Sequence, residues 1–157
     1  MQCKKNSNDC KVDTSSITEV DYNGNSLSTP DKSDCAEDNN MVAQELTVFN
    51  TPDSSMLANT ETGTISGLLA YPNPVAKYIN LYYKSSTVSL GEIVITDCNL
   101  NIIETHFYNA TAGGAVVQMQ LDSSKYLNNK NYRMYYSFYS KVTGSFFKGH
   151  GDIKIKR

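Results

Sequence analysis

No tryptophan occurs in the 157 residues, histidine occurs only twice and proline only four times. No stretch approaches the roughly 20 consecutive apolar residues that a membrane-spanning helix needs, which excludes such a helix. The first residues, Met1-Gln2-Cys3-Lys4-Lys5-Asn6, lack the apolar run of a secretory signal. The expectation is therefore a cytosolic chain, or an exported one whose signal is already gone. A net charge of −2 is too small to imply nucleic-acid binding. No G-x-S-x-G, H-E-x-x-H, phosphate-loop, EF-hand or C-x-x-C pattern is present. The common hydrolase, zinc and nucleotide chemistries are left without a motif, and no cofactor or metal site is expected.

These scarcities are uneven along the chain. Residues 1–69 hold 11 acids and four bases, a net charge of −7, whereas residues 70–157 carry +5. Only Tyr22 and Phe49 of the 16 aromatic residues precede residue 70. A segment so poor in large apolar side chains buries too little surface to offset the roughly 1–2 kcal/mol per residue lost on ordering a backbone. Residues 1–64 are accordingly expected to be a flexible, largely disordered acidic tail. One short edge strand is expected near 46–50, from Leu46-Thr47-Val48-Phe49.

From residue 65 onward the apolar period is two. Tyr132, Met134, Tyr136 and Phe138 fall on one face of a strand, and Arg133, Tyr135, Ser137 and Tyr139 on the other. Ile79/Leu81/Tyr83, Val117/Met119/Leu121 and Ile153/Ile155 alternate likewise, and 92–95 and 102–108 are β-branched or aromatic runs. Turn formers separate them at Pro72-Asn73-Pro74, Ser85-Ser86, Asp97-Cys98-Asn99, Gly113-Gly114, Asn128-Asn129 and Thr143-Gly144. Short strands at this spacing predict an all-β, antiparallel sandwich or barrel over 65–157.

Few residues offer chemistry. His150 and Asp152 stand two apart, as a metal site or an acid–base pair could, although such spacing more often reflects a polar turn before a closing strand. His106 is expected on the solvent face of its strand with Glu104 and Tyr108. The glycines at 113–114, 149 and 151 are read as turn residues at strand ends. Tyr78 and Tyr82 share one strand face and Tyr135 and Tyr139 another. If exposed, they form amphipathic platforms able to stack on a sugar or anchor a protein partner. The ten bases of 70–157 make salt-sensitive adhesion to an acidic glycan conceivable. Pro72 and Pro74 cannot donate to a sheet ladder, so Pro72-Asn73-Pro74 ends an edge strand stiffly. Four cysteines, Cys3, Cys10, Cys35 and Cys98, allow three full pairings between which spacing does not choose.

The order Leu69-Ala70-Tyr71-Pro72-Asn73-Pro74, an alternating strand, Ile93-Val94-Ile95-Thr96-Asp97, Asn101-Ile102-Ile103, Gln118-Met119-Gln120-Leu121-Asp122 and a basic closing strand resembles a known family. It is similar to the C-terminal sorting domain of the type IX secretion system of Bacteroidetes, over residues 69–157. Asn131 stands where that family has glycine, and the ending is closer to the Ig-like domains of mature Bacteroidetes surface lipoproteins. The resemblance implies an Ig-like sandwich, an extracytoplasmic place and Tyr71, Pro72, Asn73 and Pro74 as a sorting-type motif. It further implies a protein partner in the envelope or its secretion machinery and a non-enzymatic role, with no nucleic-acid partner. Cys3, followed by charged residues, resembles a lipoprotein's acylated first cysteine, so any membrane contact would run through that lipid. Cys10–Cys35 would then be the natural disulfide.

Overall fold

The computed structural model describes residues 10–57 and 61–157. It is an all-β sandwich of two antiparallel sheets. The strands are β1 (Ala36–Glu37), β2 (Ile65–Tyr71), β3 (Tyr78–Ser85), β4 (Ser89–Thr96), β5 (Ile102–Ala110), β6 (Gly113–Gln120), β7 (Asn131–Ser140) and β8 (Gly144–Lys154). One sheet runs β1-β8-β7-β4-β5 and the other β2-β3-β6. Among the described residues helix is confined to one turn, α1 (Ala43–Leu46), and a 3-10 turn, Ser54–Met56.

The period-two pattern has the expected consequence. Tyr132, Met134, Tyr136 and Phe138, with Ile93 and Ile95 of the neighbouring β4, face the other sheet, where Ile79, Leu81 and Tyr83 of β3 meet them. Each such side chain contributes about 1.5–3 kcal/mol on leaving water. Tyr83 and Phe138 pack edge to face at 5.3 Å, and Tyr126 and Tyr132 at 5.1 Å.

The closing strand starts well before the sequence reading places it. β8 spans Gly144–Lys154, so Gly149 and Gly151 lie inside a strand, not in a turn. Close approach is what requires glycine at 149. A Cβ there would sit 2.0 Å from the Ala36 carbonyl oxygen and 2.5 Å from the Tyr136 ring. Replacing it would push away both β1 and the core ring beneath.

The largest correction concerns the expected tail. Residues 10–57 fold back on the sandwich and bury Val12, Val20, Met41 and Val48; Asp13, Met41, Glu45 and Val48 lie over the outer face of the five-stranded sheet, while Val20 and β1 line the margin at Asn73 and β8. Met41 and Val48 pack with Val94 of β4 and Tyr135 of β7 in a second, smaller apolar cluster, flanked by Phe49 and Leu100. The strand expected near 46–50 is absent. Leu46 ends α1, and the segment's strand is instead Ala36–Glu37, paired with His150 and Gly149 at the β8 edge.

Turn chemistry orders this wrap where apolar mass is lacking. Asp13, Asp31, Asp38 and Asp53 each accept the backbone N–H two residues on, from Ser15, Ser33, Asn40 and Ser55. Asp21-Tyr22-Asn23-Gly24-Asn25 and Asp97-Cys98-Asn99-Leu100-Asn101 form the same loop twice. In both, the aspartate accepts from the second and fourth following N–H groups, and the last asparagine's amide donates back to it. The fourth residue has positive φ in each, Gly24 at 84° and Leu100 at 66°.

Candidate binding faces

Each sheet has an outer face, and the two differ. On the five-stranded sheet the alternate residues Arg133, Tyr135, Ser137 and Tyr139 of β7 point away from the core. They lie beside Leu90, Glu92, Val94 and Thr96 of β4 and Lys148, His150 and Asp152 of β8. The wrap supplies hydrogen-bond partners to the polar members. Asp152 accepts two bonds from Arg133, at 2.8 and 2.9 Å. Glu45 of α1 accepts from Arg133 at 3.2 Å and from the Tyr135 hydroxyl at 2.8 Å. Arg133 also donates to the Asp13 carbonyl, and Asn131 to that of Thr14. Further along, Glu92 is fully buried and accepts from the Asn50 backbone and side chain and from the Tyr139 hydroxyl.

Tyr135 is fully buried and Tyr139 is 6% exposed. The expectation that they form an exposed platform is therefore corrected. Burial first, then its bond to Glu45, pushes the Tyr135 hydroxyl well above the ordinary tyrosine range. Asp152 is held above the usual carboxylate range because its burial outweighs the Arg133 guanidinium beside it.

His150 and Asp152 do share a strand face, but each has a separate partner. His150 Nδ1 lies 3.2 Å from Asp38 Oδ2 and its ring 6.1 Å from that of Tyr135, while Asp152 is committed to Arg133. His106 and Glu104 are corrected as well. They pair with Ile93 and Ile95 of β4, so they point to the core side at the open margin of the sheet. Glu104 there accepts from Lys125 and faces His106, both at 3.1 Å. Burial opposes its charge, but His106 and Lys125 outweigh that and hold its carboxyl below the usual range. Tyr108, beside them, reaches into the core.

Cys10 is bonded to Cys98, so the Cys10–Cys35 pairing is corrected. Cys98 sits in the second D-x-N-x-N loop, and its carbonyl accepts from Lys11 and Val12, which fastens the start of the wrap to the β4–β5 turn. Cys35 carries a free thiol beside Gly151 whose pKa burial pushes up to about 11. Cys3 lies outside the described residues.

The Tyr71-Pro72-Asn73-Pro74 segment joins β2 to β3 with both X–Pro bonds cis. Asn73 is 2% exposed and is held on every side. Its backbone exchanges two hydrogen bonds with Val20, its amide donates to the Thr18 and Asp152 carbonyls, and its side-chain oxygen accepts from Lys154. The asparagine is a clamp between wrap and sandwich, not a displayed group.

The outer face of the β2-β3-β6 sheet differs in composition and exposure. Register places Tyr78 beside Gln120, Asn80 beside Gln118 and Tyr71, Tyr82 beside Val116 and Leu69, and Lys84 beside Gly114. Tyr78 and Val116 are 41% and 50% exposed. Tyr82 lies between two glycines. A Cβ at Gly67 or Gly114 would meet its ring or hydroxyl at 3.5 and 3.1 Å. Gln118 donates to Asn80 at 3.0 Å, and Lys77 Nζ stands 5.0 Å from the centre of the Tyr78 ring. Of the four tyrosines proposed from sequence, Tyr78 and Tyr82 are the pair that the structure brings together on an open face. Sequence reasoning missed Asn80, Gln118, Gln120 and Lys77, although the same period-two alternation that marked the tyrosines passes through the first three.

No protein-family model, curated protein or solved structure matches this chain.

Proposed function

We propose that this chain works outside the cytoplasm as a non-enzymatic β-sandwich module of a bacterial cell envelope, holding a protein partner there. The Cys10–Cys98 disulfide carries the proposal, because such bonds persist in oxidising compartments and are rare in a reducing cytosol. The resemblance of residues 69–157 to exported Bacteroidetes sandwiches points the same way. So does the strand order: the three strands β2, β3 and β6 face β8, β7, β4 and β5, an interleaving of the kind found among Ig-like folds. A non-catalytic reading is supported by the state of the titratable groups, since Glu45 and Asp152 share the Arg133 guanidinium and Glu92 accepts from Asn50 of the wrap.

Lipid anchorage through Cys3 belongs to the same proposal. Expression from the native gene in a Bacteroidetes host, followed by fractionation and mass spectrometry of the amino terminus, tests both parts. Recovery in the envelope fraction with a modified Cys3 and an oxidised Cys10–Cys98 pair is the expected result. A cytosolic protein with reduced cysteines overturns the placement, and an envelope protein with unmodified Cys3 overturns the anchor alone. Cross-linking on intact cells identifies the partner.

A further inference from the structure

We propose that the outer face of the β2-β3-β6 sheet, with the depression at its Tyr78 end, binds a strand of acidic polysaccharide. The chain covers much of the outer face of its other sheet with its own wrap, which reaches this one only at its β2 edge, where Gly24 meets Leu69, and leaves Tyr78 and Val116 exposed. No aspartate or glutamate occurs in any of the three strands. Two lysines bracket the face, Lys77 beside Tyr78 and Lys84 beside Gly114, and among the described residues neither has an ion pair. The seven residue steps from one to the other span roughly 23 Å at the rise of an extended strand, the reach of a chain of several sugars.

The chemistry between the lysines suits a pyranose chain. Tyrosine rings offer flat apolar surfaces for the C–H face of a sugar at little entropic cost. Tyr82 lies over a sheet kept low by Gly67 and Gly114, and the Lys77 ammonium holds against Tyr78. Asn80, Gln118 and Gln120 form a row of amides, each able to donate to one hydroxyl and accept from another. Beyond Tyr78 the face runs into an open depression of about 590 Å³ lined by Lys77, Gln120, Asp122 and Arg157. Arg157 is fixed there by donating to the carbonyls of Ala76, Ser123 and Tyr126. A carboxylate-bearing sugar would find cationic groups at both ends and no carboxylate along the strands between them. A protein partner would want an apolar centre, which Leu69 and Val116 alone do not supply. A nucleic acid would want a denser row of bases than two lysines. A second copy of the same face would bring like charges together.

Affinity electrophoresis of the full chain in gels containing polygalacturonate, with neutral galactan and a single-stranded oligonucleotide in parallel, tests the proposal. Retardation by polygalacturonate that weakens with added salt is expected, with little by the other two. Tyr78→Ala and Tyr82→Ala should each weaken binding about fivefold to tenfold. The pair Lys77→Gln and Lys84→Gln should remove most of the salt dependence, whereas Phe107→Ala on the opposite sheet should leave binding unchanged. Circular dichroism confirms that each variant is folded. Absence of retardation by polygalacturonate overturns the proposal, as does equal retardation by neutral galactan or stronger retardation by the oligonucleotide. Folded tyrosine variants that bind like the parent chain overturn the placement on this face.

Discussion

The wrap of residues 10–57 and the sandwich of residues 65–157 are ordered by different means. The sandwich has a contiguous apolar interior in which Tyr83, Phe138, Ile93, Ile95, Met134 and Ile153 are essentially inaccessible. The wrap has scattered apolar anchors, Val12, Val20, Met41 and Val48, and relies on aspartate turns, buried polar pairs and one disulfide. A low content of apolar residues therefore does not by itself leave a segment without a place in the fold. It shifts the task from burial to local hydrogen bonding and to groups on a surface already built. The cost is dependence, since β1 is two residues long and pairs only with β8.

The disulfide offers the largest test of that dependence. Cys10 and Cys98 are 88 residues apart, and closing so long a loop is worth roughly 4–5 kcal/mol in the chain-entropy account. The double variant Cys10→Ser with Cys98→Ser should lower the thermal midpoint strongly, and native hydrogen exchange should show amides of the wrap losing protection before those of β4 and β7. A uniform loss across both regions would mean that wrap and sandwich form one cooperative unit. The same sample tests Cys35. A pKa raised from 9.0 to about 11 lowers its thiolate fraction near neutral pH about a hundredfold. Peptide mapping after iodoacetamide treatment should find Cys35 unmodified in the native protein and modified once the protein is denatured.

Truncation of one anchor in each region sharpens the contrast. Phe138 is fully buried among Tyr83, Tyr108 and Phe147, and Phe138→Ala should cost about 3–5 kcal/mol in denaturant unfolding. Val48 is 3% exposed against Val94 and Tyr135, and Val48→Ala removes less, about 2 kcal/mol. If the wrap opens on its own, the Val48 loss will appear in local exchange more than in the global transition.

Acid should separate the regions further. Hydrogen bonds hold the carboxyls of Asp13, Asp21, Asp31 and Asp53 below the ordinary value of 3.8, chiefly those from Ser15, Asn25, Ser33 and Ser55. A carboxyl whose folded value is depressed stabilises fully above its unfolded value and loses that contribution as pH falls through the folded one. With four such carboxyls against Glu104 and Asp122 in the sandwich, the wrap should loosen first below about pH 4, visible as faster exchange at residues 13–55. Asp152 has the opposite sign, because its folded value is raised. Its protonation is favoured in the folded state, so its contribution falls as pH rises through that raised value. Loss of protection that begins in β7 and β8 would contradict the expected order.

What the sequence made legible follows from this division. Period-two runs such as Tyr132/Met134/Tyr136/Phe138 report directly on a face that must be buried, and they place β3, β6 and β7. They say nothing of the opposite face. Arg133, Tyr135, Ser137 and Tyr139 look like an open surface until the wrap is laid on them. Composition hid the wrap, because Asp, Asn and Ser at these spacings look like solvated chain and serve here as turn acceptors. Two signals in the sequence could have exposed it. One is the repeated D-x-N-x-N at 21–25 and 97–101, and the other is Cys98, the sole cysteine of residues 65–157 and so in want of a partner from the first segment.

The paired loops supply the finest test, because the same turn occurs once in each region. Position four needs positive φ, which glycine adopts freely and a side-chain-bearing residue at a cost of about 1 kcal/mol. The wrap loop uses Gly24, and Gly24→Ala should destabilise by about that amount, its Cβ also meeting Leu69 at 3.1 Å. The sandwich loop uses Leu100 despite the strain, and Leu100 packs against the cluster of Met41, Val48, Val94 and Tyr135. Leu100→Gly relieves the backbone but removes a contact that helps seat the wrap, so the two changes should nearly cancel, within about 1 kcal/mol. Leu100→Asn keeps tolerance for positive φ and loses the same contact. If both Leu100 variants raise stability, the leucine is strain without return. If both lower it by more than Gly24→Ala does, the strain is maintained by the hold of Leu100 on the wrap.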